Sequence, residues 1–391
     1  MDAFVFYSPT KFVFGEGTEM EAGSYVRQTG GSRVLIHYGG GSAVRSGLLD
    51  RVKASLQAEG LFTVELGGVR PNPRSGLVYE GIRLCKEQQI DFVLAVGGGS
   101  VIDSAKAIAL GAVYDGDFWD FYDGTKTVTQ TLPTGTVLTI AAAGSEGSGN
   151  SIITQERGMY KRGCRNDILR PKFSILNPVL TQTLPPFQTA CGAVDIMAHV
   201  IERYFTNTKE VEVTDRLCEA VLLTMRQETP KVMEHPDDTG ARANIMWAGM
   251  IAHNNLCGVG REQDWGSHNL EHELSAYYDC AHGAGLAVIM PAWMEYVMHH
   301  DVMRFAQFAV RVWGCQMDFA APERTAREGI ARLRAFWTSL GMPQNFAQLG
   351  AKEEDIPILL DNLQIDGRTE GHFVPLDRAA CEKIYRIACR A

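Results

Sequence analysis

Apolar residues recur along this chain with two different periods, and the change from one to the other divides it. In the first half, short apolar runs stand between polar or glycine-rich stretches. Residues 34 to 38 (VLIHY), 62 to 66 and 92 to 96 (FVLAV) are rich in branched and aromatic side chains, as expected of strands buried on both faces. Residues 47 to 58 (GLLDRVKASLQA) carry helical spacing between the first two. A further strand is expected within 133 to 151, ending in a small-residue loop, and a last one at 171 to 178 (PKFSILNP). This alternation predicts an α/β fold, a doubly wound and mostly parallel sheet of Rossmann type. At residues 183 to 188 (TLPPFQ) the pattern changes for good. The later spacing predicts helices at 189–206, 211–228, 239–256, 264–275, 284–298, 301–313, 323–340 and 376–390. The expected division is therefore an α/β domain over 1–185 and an all-helical domain over 186–391. The opening differs again: Phe4 and Phe6, then Phe12 and Phe14, alternate as two short strands would. An exposed ribbon of this kind is a pairing liability, which points to a second copy and a homodimer.

Composition narrows the class. A length of 391 residues exceeds what one core usually fills, and 45% hydrophobic with 21% charged residues describes a globular protein. A net charge of −9 argues against a nucleic-acid surface or a basic membrane-binding face. Nine cysteines without a CxxC pair suggest reduced thiols. The N-terminal stretch lacks the basic and apolar regions of a secretion signal, and no run of about 18 apolar residues suits a membrane. The expectation is a soluble, cytoplasmic protein.

The chemistry concentrates in residues 265 to 288 (WGSHNLEHELSAYYDCAHGAGLAV). His268 and His272 share one helical face, roughly 5–6 Å apart at Cβ. His282 follows, with Gly283 and Gly285 after it, where a chain can turn back. A fourth group is expected from Asp195 and His199, also four apart. Imidazoles with one carboxylate suit Zn2+ or Fe2+. Taken singly, an Asp/His pair on a helix is more often a cap or a solvated face, and clustered histidines can be structural. A nucleotide loop in the same chain shifts the balance towards a site. Gly97, Gly98, Gly99 and Ser100 lie between a buried strand and a helix expected to open at Val101, where backbone N–H groups approach a phosphate. Asp103 is counted with this loop, and Lys106 reads as an exposed base. Gly39, Gly40, Gly41 and Ser42 form a second small-residue turn. No acid stands there to hold a ribose 2′-hydroxyl, and Ser42 and Arg45 suit a 2′-phosphate, so NADP(H) is expected over NAD(H).

Together these residues resemble the iron-containing, or group III, metal-dependent alcohol dehydrogenases. The GGGSVIDSAK loop, Asp195 with His199, and the His268, His272, His282 series occur in family order, and the likeness runs nearly the whole chain. QDWGSHNLEHELSA and the strand-end glycines look closest to the NADPH-dependent butanol dehydrogenase and aldehyde reductase branch. The resemblance implies a dehydroquinate synthase-like architecture, with Asp195, His199, His268 and His282 as metal ligands. It implies Fe2+, with Zn2+ as the alternative. It leaves His272 unligated beside the metal, where it would relay the proton. It implies cofactor contacts at Asn72, Gly98, Gly99, Ser100, Thr139, Ser148, Asn150 and Lys161. One departure stands out: Ala143 replaces the family's usual threonine. Trp119, Phe121 and Trp265 would border an apolar substrate pocket. The expected reaction is hydride transfer between NADP(H) and short- to medium-chain primary alcohols or aldehydes, such as butanol and butanal. Two rivals share the scaffold. A dehydroquinate synthase-like lyase would want basic residues near Asp195 or His268, and a glycerol-type dehydrogenase usually has one ligating histidine fewer. A phosphohydrolase would have no use for the glycine turns.

Overall fold

The computed structural model describes residues 1–142 and 144–390, so the departure at Ala143 lies outside the described residues. The chain divides into two compact units. One comprises Tyr7–Leu184 and Asp237–Asn254; the other comprises Met1–Phe6, Pro185–Pro236 and Asn255–Ala391. The first is α/β, the second helical.

The α/β unit is built on a six-stranded parallel sheet. In chain order its strands are β1 (Lys11–Phe14), β2 (Arg33–Gly39), β3 (Phe62–Val69), β4 (Phe92–Gly97), β5 (Thr134–Leu138) and β8 (Phe173–Leu176). The spatial order is β1-β8-β5-β4-β2-β3. Apolar side chains alternate between its faces. Val34, Ile36, Phe92, Leu94 and Ile175 enter one core, and Leu35, Val93, Ala95 and Leu176 the other. Every residue of β4, β5 and β8 is buried, which explains the unbroken apolar run of β4. β2 pairs with both β3 and β4, so the strand order reverses there. The carboxyl ends at such a reversal form the usual ligand crevice of an open parallel sheet.

Three features depart from the sequence expectation. Phe4 and Phe6 lie in no strand, because residues 1–10 find no ladder partner; only Lys11–Phe14 pairs, at the sheet edge with β8. Residues Asn150–Gln155 (β6) and Tyr160–Arg165 (β7) form an antiparallel hairpin that the apolar pattern did not announce. The helix Thr239–His253, expected in the helical half, belongs to the α/β unit. There Trp247 meets Phe12 and Phe14 edge-on at 6.0 and 5.8 Å. Gly144, at φ +67°, admits the Gly249 carbonyl where a Cβ would lie 2.5 Å from it.

The helical unit contains Pro186–Tyr204, Glu212–Glu234, Gly266–Tyr278, His282–Val297, Val302–Trp313, Pro322–Ser339 and Arg378–Arg390 as its longer helices. Tyr204, Phe205, Trp293, Phe305 and Phe308 fill its interior. No described helix is long and apolar enough to cross a membrane.

Candidate metal centre and nucleotide turns

Three helices of the helical unit bring the metal candidates together. Pro186–Tyr204 carries Asp195 and His199, Gly266–Tyr278 carries His268 and His272, and His282–Val297 opens with His282. Gly283 and Gly285 therefore lie inside a helix and do not turn the chain back. They permit close approach instead. A Cβ at Gly283 would sit 2.1 Å from the Cys191 carbonyl oxygen, and one at Gly285 would sit 2.5 Å from Glu271 Oε1.

Asp195, His268 and His282 each offer a ligand atom, all within 4.8 Å of one another. His199 adjoins them, with Nδ1 at 3.0 Å from Asp195 Oδ1 and 3.4 Å from His268 Nε2. Asp195 Oδ1 is buried and accepts no hydrogen bond, although His282 Nε2 stands 3.7 Å away. A buried carboxylate oxygen without a donor, ringed by imidazoles, fits a divalent cation. Burial works against the Asp195 carboxylate, but His199, then His282 and His268, hold it well below the usual range. Burial pushes His268 down to about 4, and the neighbouring His199 adds to this. The imidazole is thus neutral near pH 7, as a ligand must be.

The orientation of these imidazoles comes from two glutamates that sequence reasoning passed over. His268 Nδ1 donates to Glu202 Oε1 at 2.8 Å, and His282 Nδ1 donates to Glu271 Oε2. Burial opposes ionisation of Glu202, but the hydrogen bonds and charge of His268, with the hydrogen bond from Ser267, together outweigh it and lower its pKa. A signal existed for Glu202: Asp195, His199 and Glu202 stand at i, i+4 and i+7 on one helix face. His272 lies beside the group, its ring 5.4 Å from that of His282. Glu271, His272 and His282 form a second grouping within 4.8 Å, sharing His282. Trp265 borders His199 and His268 at 5.6 and 5.2 Å.

In the α/β unit, the two glycine turns follow neighbouring strands, since Tyr38 of β2 pairs with Val96 of β4. Gly39, Gly40 and Ser42 leave the first, and Gly98, Gly99 and Ser100 leave the second. The helix opens at Gly99, two residues earlier than expected, with Val101 and Ile102 already bonded to the Gly98 carbonyl. The amides of Gly99 and Ser100 thus stand at the positive end of the helix. Thr139 follows β5 and donates its N–H to the Gly97 carbonyl at 3.0 Å. Asn72, just past β3, accepts from Lys161 Nζ at 3.0 Å, so those two candidates meet. Ser148 lies ahead of the hairpin and Asn150 opens it, with its Nδ2 3.1 Å from His253 Nε2.

Asp103 faces the loop behind these turns. Its carboxylate accepts from Ser145 Oγ at 2.5 Å and from the Ile152 N–H at 3.1 Å. Lys106 is no exposed base. It is 1% exposed and donates to the carbonyls of Ser145, Ser148 and Asn150 at 2.7–2.9 Å. Trp119 stacks on Tyr122 at 5.3 Å, and Phe121 meets Tyr114 at 4.7 Å, both within the α/β unit.

Comparison with known proteins places this geometry in context. The family model for iron-containing alcohol dehydrogenase matches residues 9–178, and that for the C-terminal part of the Fe-containing alcohol dehydrogenase family matches 189–389. The chain is 43% identical to a probable NADH-dependent butanol dehydrogenase 1 of Bacillus subtilis, over 97% of each chain. It is 36% identical to an NADPH-dependent aldehyde reductase of Escherichia coli, over 99% of this chain and 100% of that one. The crystal structure of NADH-dependent butanol dehydrogenase A from Thermotoga maritima superposes with a TM-score of 0.96 at 39% identity, covering 100% of this chain and 99% of the other.

Proposed function

The chain belongs to the iron-containing alcohol dehydrogenase family, and from that premise we propose that it interconverts short- to medium-chain primary alcohols and aldehydes, such as butanol and butanal, with NADP(H). It is an iron-type, NAD(P)-dependent alcohol dehydrogenase. The observation that carries the substrate chemistry is the bare Asp195 Oδ1 among His199, His268 and His282. We assign these four as ligands, with Fe2+ as the ion and Zn2+ as the alternative. A divalent ion there would supply Lewis-acid polarisation of the substrate oxygen.

The protein's own groups do the rest. His272 stands beside the cluster without a place in the proposed ligand set, its ring 5.4 Å from that of His282, so it exchanges the proton of the alcohol. Trp265 gives the site an apolar wall against His199 and His268, which suits an alkyl chain. Gly39, Gly40, Ser42, Gly98, Gly99, Ser100, Asn72, Thr139, Ser148, Asn150 and Lys161 bind the dinucleotide, with its phosphates at the helix start. Asp103, committed to Ser145 and Ile152, serves this site by holding its loop. The preference for NADP(H) rests on the absence of an acid at the end of β2 and on Arg45, whose guanidinium folds over Gly41. Relatives named for NADH and for NADPH both occur, so this preference belongs to the strand end and not to the family. Nine free thiols support a reducing cytoplasm, and exposed Phe4, Val5, Phe6 and Tyr7 support pairing with a second copy.

The test is oxidation of NADPH, and separately NADH, by butanal with metal-depleted and metal-restored protein. Metal-dependent oxidation, faster with NADPH, is expected. Equal or faster oxidation of NADH would remove the cofactor preference alone. No oxidation of either across several straight-chain aldehydes, with Fe2+ or Zn2+ restored, would overturn the function.

A further inference from the structure

Glu202 and Glu271 are buried acids outside the proposed ligand set, and each ends on a metal-facing imidazole. Glu202 is 0% exposed, and its oxygens accept four hydrogen bonds from one short stretch. Oε2 takes the Trp265 N–H at 2.8 Å. Oε1 takes Ser267 Oγ at 2.6 Å, the His268 N–H at 3.0 Å and His268 Nδ1 at 2.8 Å. It thereby satisfies amides at the start of the helix Gly266–Tyr278, whose N-cap residue Trp265 offers no side-chain cap. It reaches that start from the helix bearing Asp195 and His199, so one carboxylate joins two ligand-bearing helices. Glu271, also 0% exposed, takes His282 Nδ1, and the missing side chain of Gly285 leaves room for its carboxylate.

We infer that Glu202 and Glu271 are a pair of positioning residues that fix His268 and His282 as Nδ1–H tautomers, turning Nε2 of His282 towards Asp195 and Nε2 of His268 towards His199 before any ion arrives. A carboxylate only accepts, so the hydrogen must sit on Nδ1 and the lone pair on Nε2. His282 Nε2 accordingly faces Asp195 Oδ1, and His268 Nε2 faces His199. The inference rests on the proposed ligand set and adds what holds it in readiness. At Glu271, where only Oε2 is engaged, an amide replaces the charged acceptor of His282 Nδ1 with a neutral, weaker one. At Glu202, where both oxygens accept, it also offers a donor where the protein presents only donors. At Glu202 a glutamine must turn its NH2 towards either the Trp265 amide or the His268 side.

Glu271→Gln is the decisive variant, because Glu271 starts no helix, and Glu202→Gln is its companion. Zn2+ affinity is measured by competition with a chromophoric chelator, and the Co2+-loaded forms are compared by their visible absorption. We expect Glu271→Gln to bind Zn2+ about 10- to 100-fold more weakly, with an altered Co2+ spectrum and an unchanged unfolding midpoint without metal. Wild-type affinity and spectrum in Glu271→Gln would overturn the inference, whether or not Glu202→Gln folds. Failure of the wild-type protein to bind either ion would overturn the ligand assignment, and this inference with it.

Discussion

His37 shows how a single buried group couples this fold to pH. Both ring nitrogens are engaged, Nδ1 with the Leu66 carbonyl and Nε2 with Ser104 Oγ, each at 2.9 Å. A carbonyl only accepts, so Nδ1 carries the hydrogen and Nε2 accepts from the serine. Burial lowers the folded pKa to about 4 from an ordinary 6.5, against a smaller upward pull from Leu66. Between those values the unfolded chain binds a proton that the folded chain does not, so stability falls as pH drops from about 6.5 to about 4. The full loss from this residue is roughly 3 kcal/mol. Urea unfolding of wild type and His37→Asn across that range checks it: the variant should lose less stability on acidification. Equal slopes would show that other groups carry the acid sensitivity. The same scale shows what single residues reveal in sequence. Asp195, His199, His268 and His282 could be found because each pair or series repeats at helical spacing or lies in one short stretch. Glu271 was hidden beside His272, and Lys106 passed for a surface lysine, because their partners are tertiary.

Element boundaries were legible wherever one period ran uninterrupted. The runs at 92 to 96 and 171 to 178 became buried strands, and most helices began and ended within a few residues of their expected limits. The hairpin of β6 and β7 was lost because Lys161, Arg162 and Arg165 break its apolar alternation. The helix Glu212–Glu234 runs past Pro230, which lies near its end and removes a single amide donor. Gly283 carries the consequence for the site. It was read as a place to turn, but its role is to let the helix His282–Val297 approach the Cys191 backbone of Pro186–Tyr204. A methyl group there meets backbone, which cannot swing aside. Gly283→Ala should therefore cost about 1–3 kcal/mol and weaken Zn2+ binding, since the two helices carry His282 and Asp195. Chemical denaturation with metal titration checks both, and wild-type values in each would show that the helices can part without disturbing the site.

At the scale of the whole chain, division into an α/β and a helical half was readable from the change of period, but its path was not. Residues 237–254 look like any other helical segment of the second half, and only tertiary partners such as Phe12 and Gly144 assign them to the α/β unit. The two proposed ligand sets follow the same division. Every proposed metal ligand lies in the helical unit, and every proposed dinucleotide contact lies in the α/β unit. A ligand that binds only the folded form stabilises it by about 2.7 kcal/mol at a hundredfold excess over its Kd, and the effect is strongest in the elements it touches. Hydrogen exchange should therefore separate the two. Adding Zn2+ to the metal-free protein should protect Pro186–Tyr204, Gly266–Tyr278 and the start of His282–Val297. Adding NADPH without metal should instead protect the turns after β2 and β4 and the 145–150 loop that Lys106 and Asp103 hold. Protection of the glycine turns by Zn2+ alone, with none at the histidine helices, would contradict the ligand assignment. Protection by NADPH confined to the helical unit would contradict the cofactor assignment and leave the metal centre standing.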